Sequence, residues 1–188
     1  FTTLITHPNV PNASWLTGAT GIRNLTLISH LMNSFFDKSN YNEEKKLILN
    51  NSSFLSQYLD NIYPNIIYLS GTDFKSVKID DIRNIKNLLI KKPIIGNKRF
   101  LILDDVEMFN LNSMNALLKM IEEPGPDNYF ILIYNKSKPL LETIKSRCIE
   151  FHINLNSEKK KIAINHLIKN FNQEKILKGN SLVGIFLE

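Results

Sequence analysis

Asp104 and Asp105 follow the apolar run Phe100 to Leu103 directly. That places two carboxylates at the carboxyl end of a strand, the edge where open α/β sheets bind their ligands. Paired carboxylates there suit a divalent cation and an attacking water beside a nucleoside triphosphate, the Walker B arrangement. The usual pair is Asp-Glu, so Asp104 stands at the metal carboxylate. Asp105 stands at the base, one methylene short, and a displacement of about 1 Å can weaken such positioning roughly a hundredfold.

The matching phosphate loop should lie upstream, and Gly18 to Leu25 is the segment to compare with G-x-x-x-x-G-K-[ST]. Gly18 keeps the first glycine and Gly21 is an extra one. Arg23 replaces the glycine that lets the backbone approach a phosphate, Asn24 replaces the lysine, and Leu25 replaces the hydroxyl that ligates magnesium. Thr26 offers a hydroxyl one residue late, which turns it roughly 100° around a helix. The loop is expected to bind magnesium-ATP weakly or not at all. A competing reading has Arg23 pair bidentately with a phosphate, although a guanidinium would not replace the metal ligand.

These residues need a scaffold, and the hydrophobic pattern supplies one. Trp15 to Thr17 reads as a strand, and Leu27, Ile28, Leu31, Met32, Phe35 and Phe36 have helical spacing. Residues 37–65 read as irregular with short helices. Ile66 to Leu69 reads as a buried strand ended by Ser70-Gly71. A helix follows with Ile79, Ile82, Ile85, Leu88 and Leu89 on one stripe, Asp80 and Asp81 in its first turn and Lys91 and Lys92 in its last. Beyond the strand at Phe100 to Leu103, the stripe Leu111, Met114, Leu117, Leu118 and Ile121 gives a helix ending before Pro124. Phe130 to Tyr134 and Ile149 to Ile153 read as strands, with a helical turn at Leu140 to Lys145 between them. This alternation implies a mostly parallel, doubly wound α/β sheet sandwiched by helices. After Ile153 the texture becomes helical, with Ser157 as a cap, and residues 154–188 read as the start of a small helical lid domain.

Composition narrows the class. A hydrophobic fraction of 43% suits a packed domain, and the apolar runs are far too short to span a membrane. No charged-then-apolar leader opens the chain, so a cytoplasmic protein is expected. Cys148 is the single cysteine, which excludes an internal disulfide and a cysteine-rich zinc site, and His7, His30, His152 and His166 lack ligand spacing. The formal charge of +5 lies entirely after Gly71, since Arg23, Lys38, Lys45 and Lys46 are balanced by Asp37, Glu43, Glu44 and Asp60. A basic surface toward nucleic acid is compatible with this.

From Asp104 onward, NALLK (Asn115 to Lys119), EEP (Glu122 to Pro124) and SRC (Ser146 to Cys148) occur in order. This combination closely resembles the ATPase-type subunits of bacterial replicative clamp loaders, the gamma/tau and delta prime subunits of DNA polymerase III, which have the AAA+ fold. The resemblance covers Trp15 to about Ile153. It implies a AAA+ (RecA-like) domain with a degenerate phosphate loop over residues 1–153, the partial lid over 154–188, and no carboxyl-terminal collar in this chain.

Gamma/tau hydrolyses ATP and needs the complete loop, whereas delta prime proteins frequently have a degraded loop yet keep SRC. Arg23, Asn24 and Leu25 therefore favour delta prime; the alternative is a gamma/tau-like ATPase with an atypical loop. The resemblance implies that Arg147, flanked by Ser146 and Cys148, is an arginine finger for ATP on the neighbouring gamma/tau subunit, a role worth roughly a thousandfold or more in hydrolysis. Asn135 matches the first sensor position. No ATP, magnesium or zinc is expected on this chain, and no ATPase activity of its own, although it would belong to the polymerase holoenzyme. Implied partners are gamma/tau, delta, the sliding clamp and primed DNA, whose phosphates Arg83, Lys86 and Lys119 could track. Most members carry a four-cysteine zinc module after the first helix, and 37–65 contains no cysteine.

Overall fold

The computed structural model describes residues 12–18, 24–45, 47–49, 52–72 and 79–153. In chain order these form β1 (Ala13–Gly18), α1 (Asn24–Phe36), the short strands β2 (Tyr41–Asn42) and β3 (Leu47–Ile48), α2 (Ser53–Leu59) and β4 (Ile66–Ser70). There follow α3 (Ile79–Leu89), β5 (Arg99–Asp104), α4 (Leu111–Glu122), β6 (Asn128–Tyr134), α5 (Glu142–Lys145) and β7 (Ile149–Ile153). The expected lid at 154–188 lies outside the described residues, as do Gly21, Arg23 and the cap at Ser157.

Five strands pair in the order β4-β5-β6-β1-β7, every pair parallel. The central strands β5 and β6 are apolar between their ends because both faces are covered. Leu101 and Leu103 of β5 pack with Trp15, Phe130 and Leu132 against Ile82, Ile85 and Leu89 of α3 and Met114, Leu117 and Ile121 of α4. The alternate residues Phe100 and Ile102 pack with Leu16, Ile131 and Ile133 against Ile28, Leu31 and Met32 of α1 and Phe54 of α2. Helices α3 and α4, with Ile144 of α5, thus cover one face and α1 and α2 the other, and the sandwich expected from the alternation is observed.

Three details differ from the sequence reading. Leu88 and Leu111 sit on the apolar stripes by spacing yet are 46% and 63% exposed. Lys91 and Lys92 lie beyond α3, which ends at Leu89; the basic residue of its last turn is Lys86. The segment after α1 is more regular than expected, with β2 and β3 pairing antiparallel. Asp37 organises that segment: its carboxylate accepts from Ser39 Oγ at 3.0 Å, from Asn40 Nδ2 at 3.0 and 3.1 Å, and from Ser52 Oγ at 2.7 Å. Ser52 in turn caps α2 by accepting from Leu55 N–H. Near this knot, Phe36 and Phe54 stack, and Tyr63 meets Phe36 tilted and Phe54 edge-on. Among the described residues of 37–65, the Asp37 carboxylate and this cluster of rings join the turn after α1 to α2.

Candidate functional site at the carboxyl edge of the sheet

Parallel pairing brings the ends of β1, β4, β5 and β6 to one edge. Ser70 stands opposite Asp104 and Thr17 opposite Tyr134, so Gly18, Asp104 and Asn135 all emerge there. Asp104 is buried rather than solvated. Its carboxylate accepts from Tyr68 Oη at 3.0 Å and from the Asp105 N–H at 2.9 Å. Burial, and then the charge of Asp105, push its pKa above the usual carboxylate range.

Asp105 has left-handed backbone, φ 47° and ψ 47°, a conformation that aspartate tolerates better than most residues. This turns its side chain back across the edge. Oδ1 accepts from Asn135 Nδ2 at 2.7 Å and Oδ2 from Thr72 Oγ1 at 2.9 Å, so each carboxylate oxygen is engaged within the chain. Gly71 makes this turn possible: a Cβ there would lie 2.5 Å from the Asp105 carbonyl oxygen. The first-sensor position and the second Walker B position are therefore joined directly.

Three residues of this edge escaped the sequence reading. Tyr68 and Thr72 lie within or just after a strand and carry no motif. Glu107 is buried, and its Oε1 accepts from the N–H groups of Asn135 and Ser137 and from Ser137 Oγ, shaping the loop that carries Asn135. Only its place three residues after Asp104 hinted at it. Of the phosphate-loop positions, Gly18 closes β1, Asn24 is the first residue of α1, and Leu25 in that first turn is 37% exposed.

The SRC motif sits apart, between α5 and β7. Ser146 Oγ donates to the Thr143 carbonyl at 3.1 Å. Cys148 is half-buried against the core, and burial pushes its thiol up to about 11, so it packs rather than reacts. Arg147 is exposed, and its Nε donates to Glu122 Oε1 at 2.5 Å.

The three basic residues picked out singly in the sequence converge. Arg83 and Lys86 of α3 and Lys119 of α4 line one groove of about 330 Å³, joined by the amides Asn112 and Asn115. The NALLK motif contains two of these residues. No group of three metal-binding side chains occurs among the described residues, and no helix among them is long and apolar enough to cross a membrane.

Five parallel strands between helix layers, with an acidic strand end beside Asn135, define a P-loop-type α/β domain of the AAA+ kind. Solved structures agree on the fold. A gamma-subunit-related protein of DNA polymerase III from Thermotoga maritima superposes with a TM-score of 0.55 at 21% identity, covering 86% of this chain and 48% of that one. The RuvB Holliday junction branch migration motor of Thermotoga maritima gives 0.52 at 16% identity, over 85% of this chain and 44% of that one.

The profile of the family described as "DNA polymerase III, delta subunit" matches residues 1–158, and the chain belongs to that family of clamp-loader subunits. DNA polymerase III subunit delta' of Pseudomonas aeruginosa is 36% identical over 76 residues, 40% of this chain and 23% of that protein. Subunit tau/gamma of Haemophilus influenzae is 37% identical over 90 residues, 47% of this chain and 13% of that protein. Subunit delta' of Buchnera aphidicola subsp. Schizaphis graminum is 37% identical over 105 residues, 55% of this chain and 31% of that protein. The matches span less than a third of each relative's length, and identity does not separate the two subunit types.

Proposed function

We propose that this chain is the delta prime type of subunit, a non-hydrolysing scaffold that donates Arg147 to ATP bound by a neighbouring gamma/tau subunit while the sliding clamp is loaded onto primed DNA. One observation carries the choice between subunit types. The chain that has lost the phosphate-loop lysine and magnesium hydroxyl, at Asn24 and Leu25, keeps SRC with an exposed guanidinium. The bonded state of Asp105 supports the same reading: a base whose two oxygens are taken by Thr72 and Asn135 is poorly placed to orient water.

In this reading no magnesium-ATP is held by the chain itself. Arg147 contributes positive charge and directed N–H groups where charge develops on the transferring phosphoryl group of the neighbour's ATP. The groove of Arg83, Lys86 and Lys119 meets the DNA backbone, so affinity of the assembly for DNA falls steeply with salt and ignores sequence. Gamma/tau, delta and the clamp are the partners.

The test is turnover. The full-length chain alone shows no magnesium-dependent ATPase, whereas Arg147→Ala depresses hydrolysis at the site it serves roughly a thousandfold in a complex reconstituted with gamma/tau and delta. Normal hydrolysis by that mutant complex with clamp and DNA present would sink the finger assignment. Turnover by the chain alone would establish instead a gamma/tau-like ATPase in which Arg23 serves the phosphates.

A further inference from the structure

Arg147 is not a loose surface side chain. Nε donates to Glu122 Oε1 at 2.5 Å, while Nη1 donates to the Thr143 carbonyl at 3.0 Å and lies 3.4 Å from Ser146 Oγ. Glu122 ends α4 and Thr143 lies in α5, so two separate elements grip one guanidinium. A guanidinium is planar, and fixing Nε and Nη1 fixes its plane. Among the described residues nothing takes Nη2, and the side chain stays 38% exposed. The guanidinium is therefore anchored at Nε and Nη1 and open at Nη2.

From this geometry we infer that Glu122 is a positioning residue for Arg147: it holds the guanidinium oriented outward before a neighbouring subunit's phosphate arrives. The inference rests on the finger reading above. An exposed ion pair adds little to stability, so the pair's value lies elsewhere. An arginine on a free stem must be ordered at the moment of reaction, and immobilising one such side chain is worth roughly 3- to 10-fold. The carboxylate does that ordering in advance while leaving Nη2 for phosphate oxygens. Glu122 acts through hydrogen-bond geometry, so an amide oxygen in its place retains much of the effect.

The experiment uses the full-length chain in a complex reconstituted with gamma/tau, delta, clamp and primed DNA. Four variants are compared: Glu122→Ala, Glu122→Gln, Arg147→Ala and the Glu122→Ala/Arg147→Ala double variant. Glu122→Ala lowers kcat for ATP roughly 3- to 10-fold with KM nearly unchanged. Glu122→Gln recovers at least half of that loss on a logarithmic scale. The double variant is no slower than Arg147→Ala. An unaltered kcat in Glu122→Ala, a Gln variant as slow as the Ala variant or faster than the parent, or a further loss in the double variant would each overturn the positioning role. If Arg147→Ala is slow and Glu122→Ala normal, only this inference falls. If Arg147→Ala turns over normally, the finger reading falls and takes this one with it. Glu122 is 45% exposed, and an unshifted melting temperature for its variants checks that the fold is intact.

Discussion

Replacing Arg99 with methionine removes a buried guanidinium that binds the carboxyl end of α3 and, through Asn128, the segment after α4. Its Nη1 donates to the carbonyls of Leu88 at 2.7 Å and Lys91 at 2.8 Å, and Nη2 donates to that of Lys92 at 3.0 Å. Nη1 also approaches Asn128 Oδ1 at 3.4 Å. The amide nitrogen of Asn128 in turn donates to the carbonyls of Leu89, Pro124 and Pro126. The carboxyl ends of α3 and of the α4 region thus share one polar clamp. Leu88 keeps a second donor in the Lys91 N–H, so the change orphans chiefly the carbonyls of Lys91 and Lys92. Those two residues are exposed enough for water to replace part of what is lost. At about 1 kcal/mol for each orphaned carbonyl, plus the lost attraction between the cation and the helix terminus, Arg99→Met should cost about 2–3 kcal/mol. For a chain of this size that lowers Tm by roughly 5–10 °C. Urea unfolding read by circular dichroism measures the loss, and the slope with denaturant should stay constant because the fold does not change. Arg99→Lys keeps the charge and some of the bonds and should lose less. A loss below about 1 kcal/mol for methionine, or a larger loss for lysine than for methionine, would refute the clamp.

Two further outcomes test other parts of the structure. The bond from Ser52, followed by those from Asn40 and Ser39, holds the Asp37 pKa below its ordinary value of 3.8. The folded state then binds fewer protons than the unfolded one in the acid range, so the stabilisation is complete above the ordinary value and is lost as pH falls through the folded one. The stability gap between the parent and Asp37→Asn, followed by urea titration, should narrow across that window, and a gap that widens there contradicts the knot. Gly71→Ala should cost about 1–3 kcal/mol, because its Cβ meets the Asp105 carbonyl oxygen at 2.5 Å and Met108 Cβ at 2.8 Å. The amide resonances of Asp105 and Asn135 should move with it, and an unchanged melting temperature and spectrum would remove the close approach.

What the sequence disclosed divides along a physical line. Strand ends were legible because Asp104 and Asn135 directly follow apolar runs, and parallel pairing carries such ends to one edge whatever lies between them. The departure from the phosphate-loop pattern is legible because that pattern is local: Asn24 and Leu25 stand at the offsets where it has a lysine and a hydroxyl. Leu88 and Leu111 misled because helical spacing does not reveal where the covering partner ends. Arg99 reads as an ordinary charged boundary residue, and nothing nearby in the sequence shows that loop carbonyls converge on it. The same holds at the two candidate sites. Asp105 with Thr72, and Arg147 with Glu122, join residues 33 and 25 positions apart through side chains alone. EEP and SRC were each recognisable as words, but their contact exists only once α4 and α5 pack on the same sheet. That contact joins the two motifs: a glutamate that looks like the end of a helix motif becomes the hydrogen-bond partner of the arginine that the other motif presents. The acidic pair at the sheet edge is bonded within its own chain, while the arginine keeps Nη2 unbonded among the described residues.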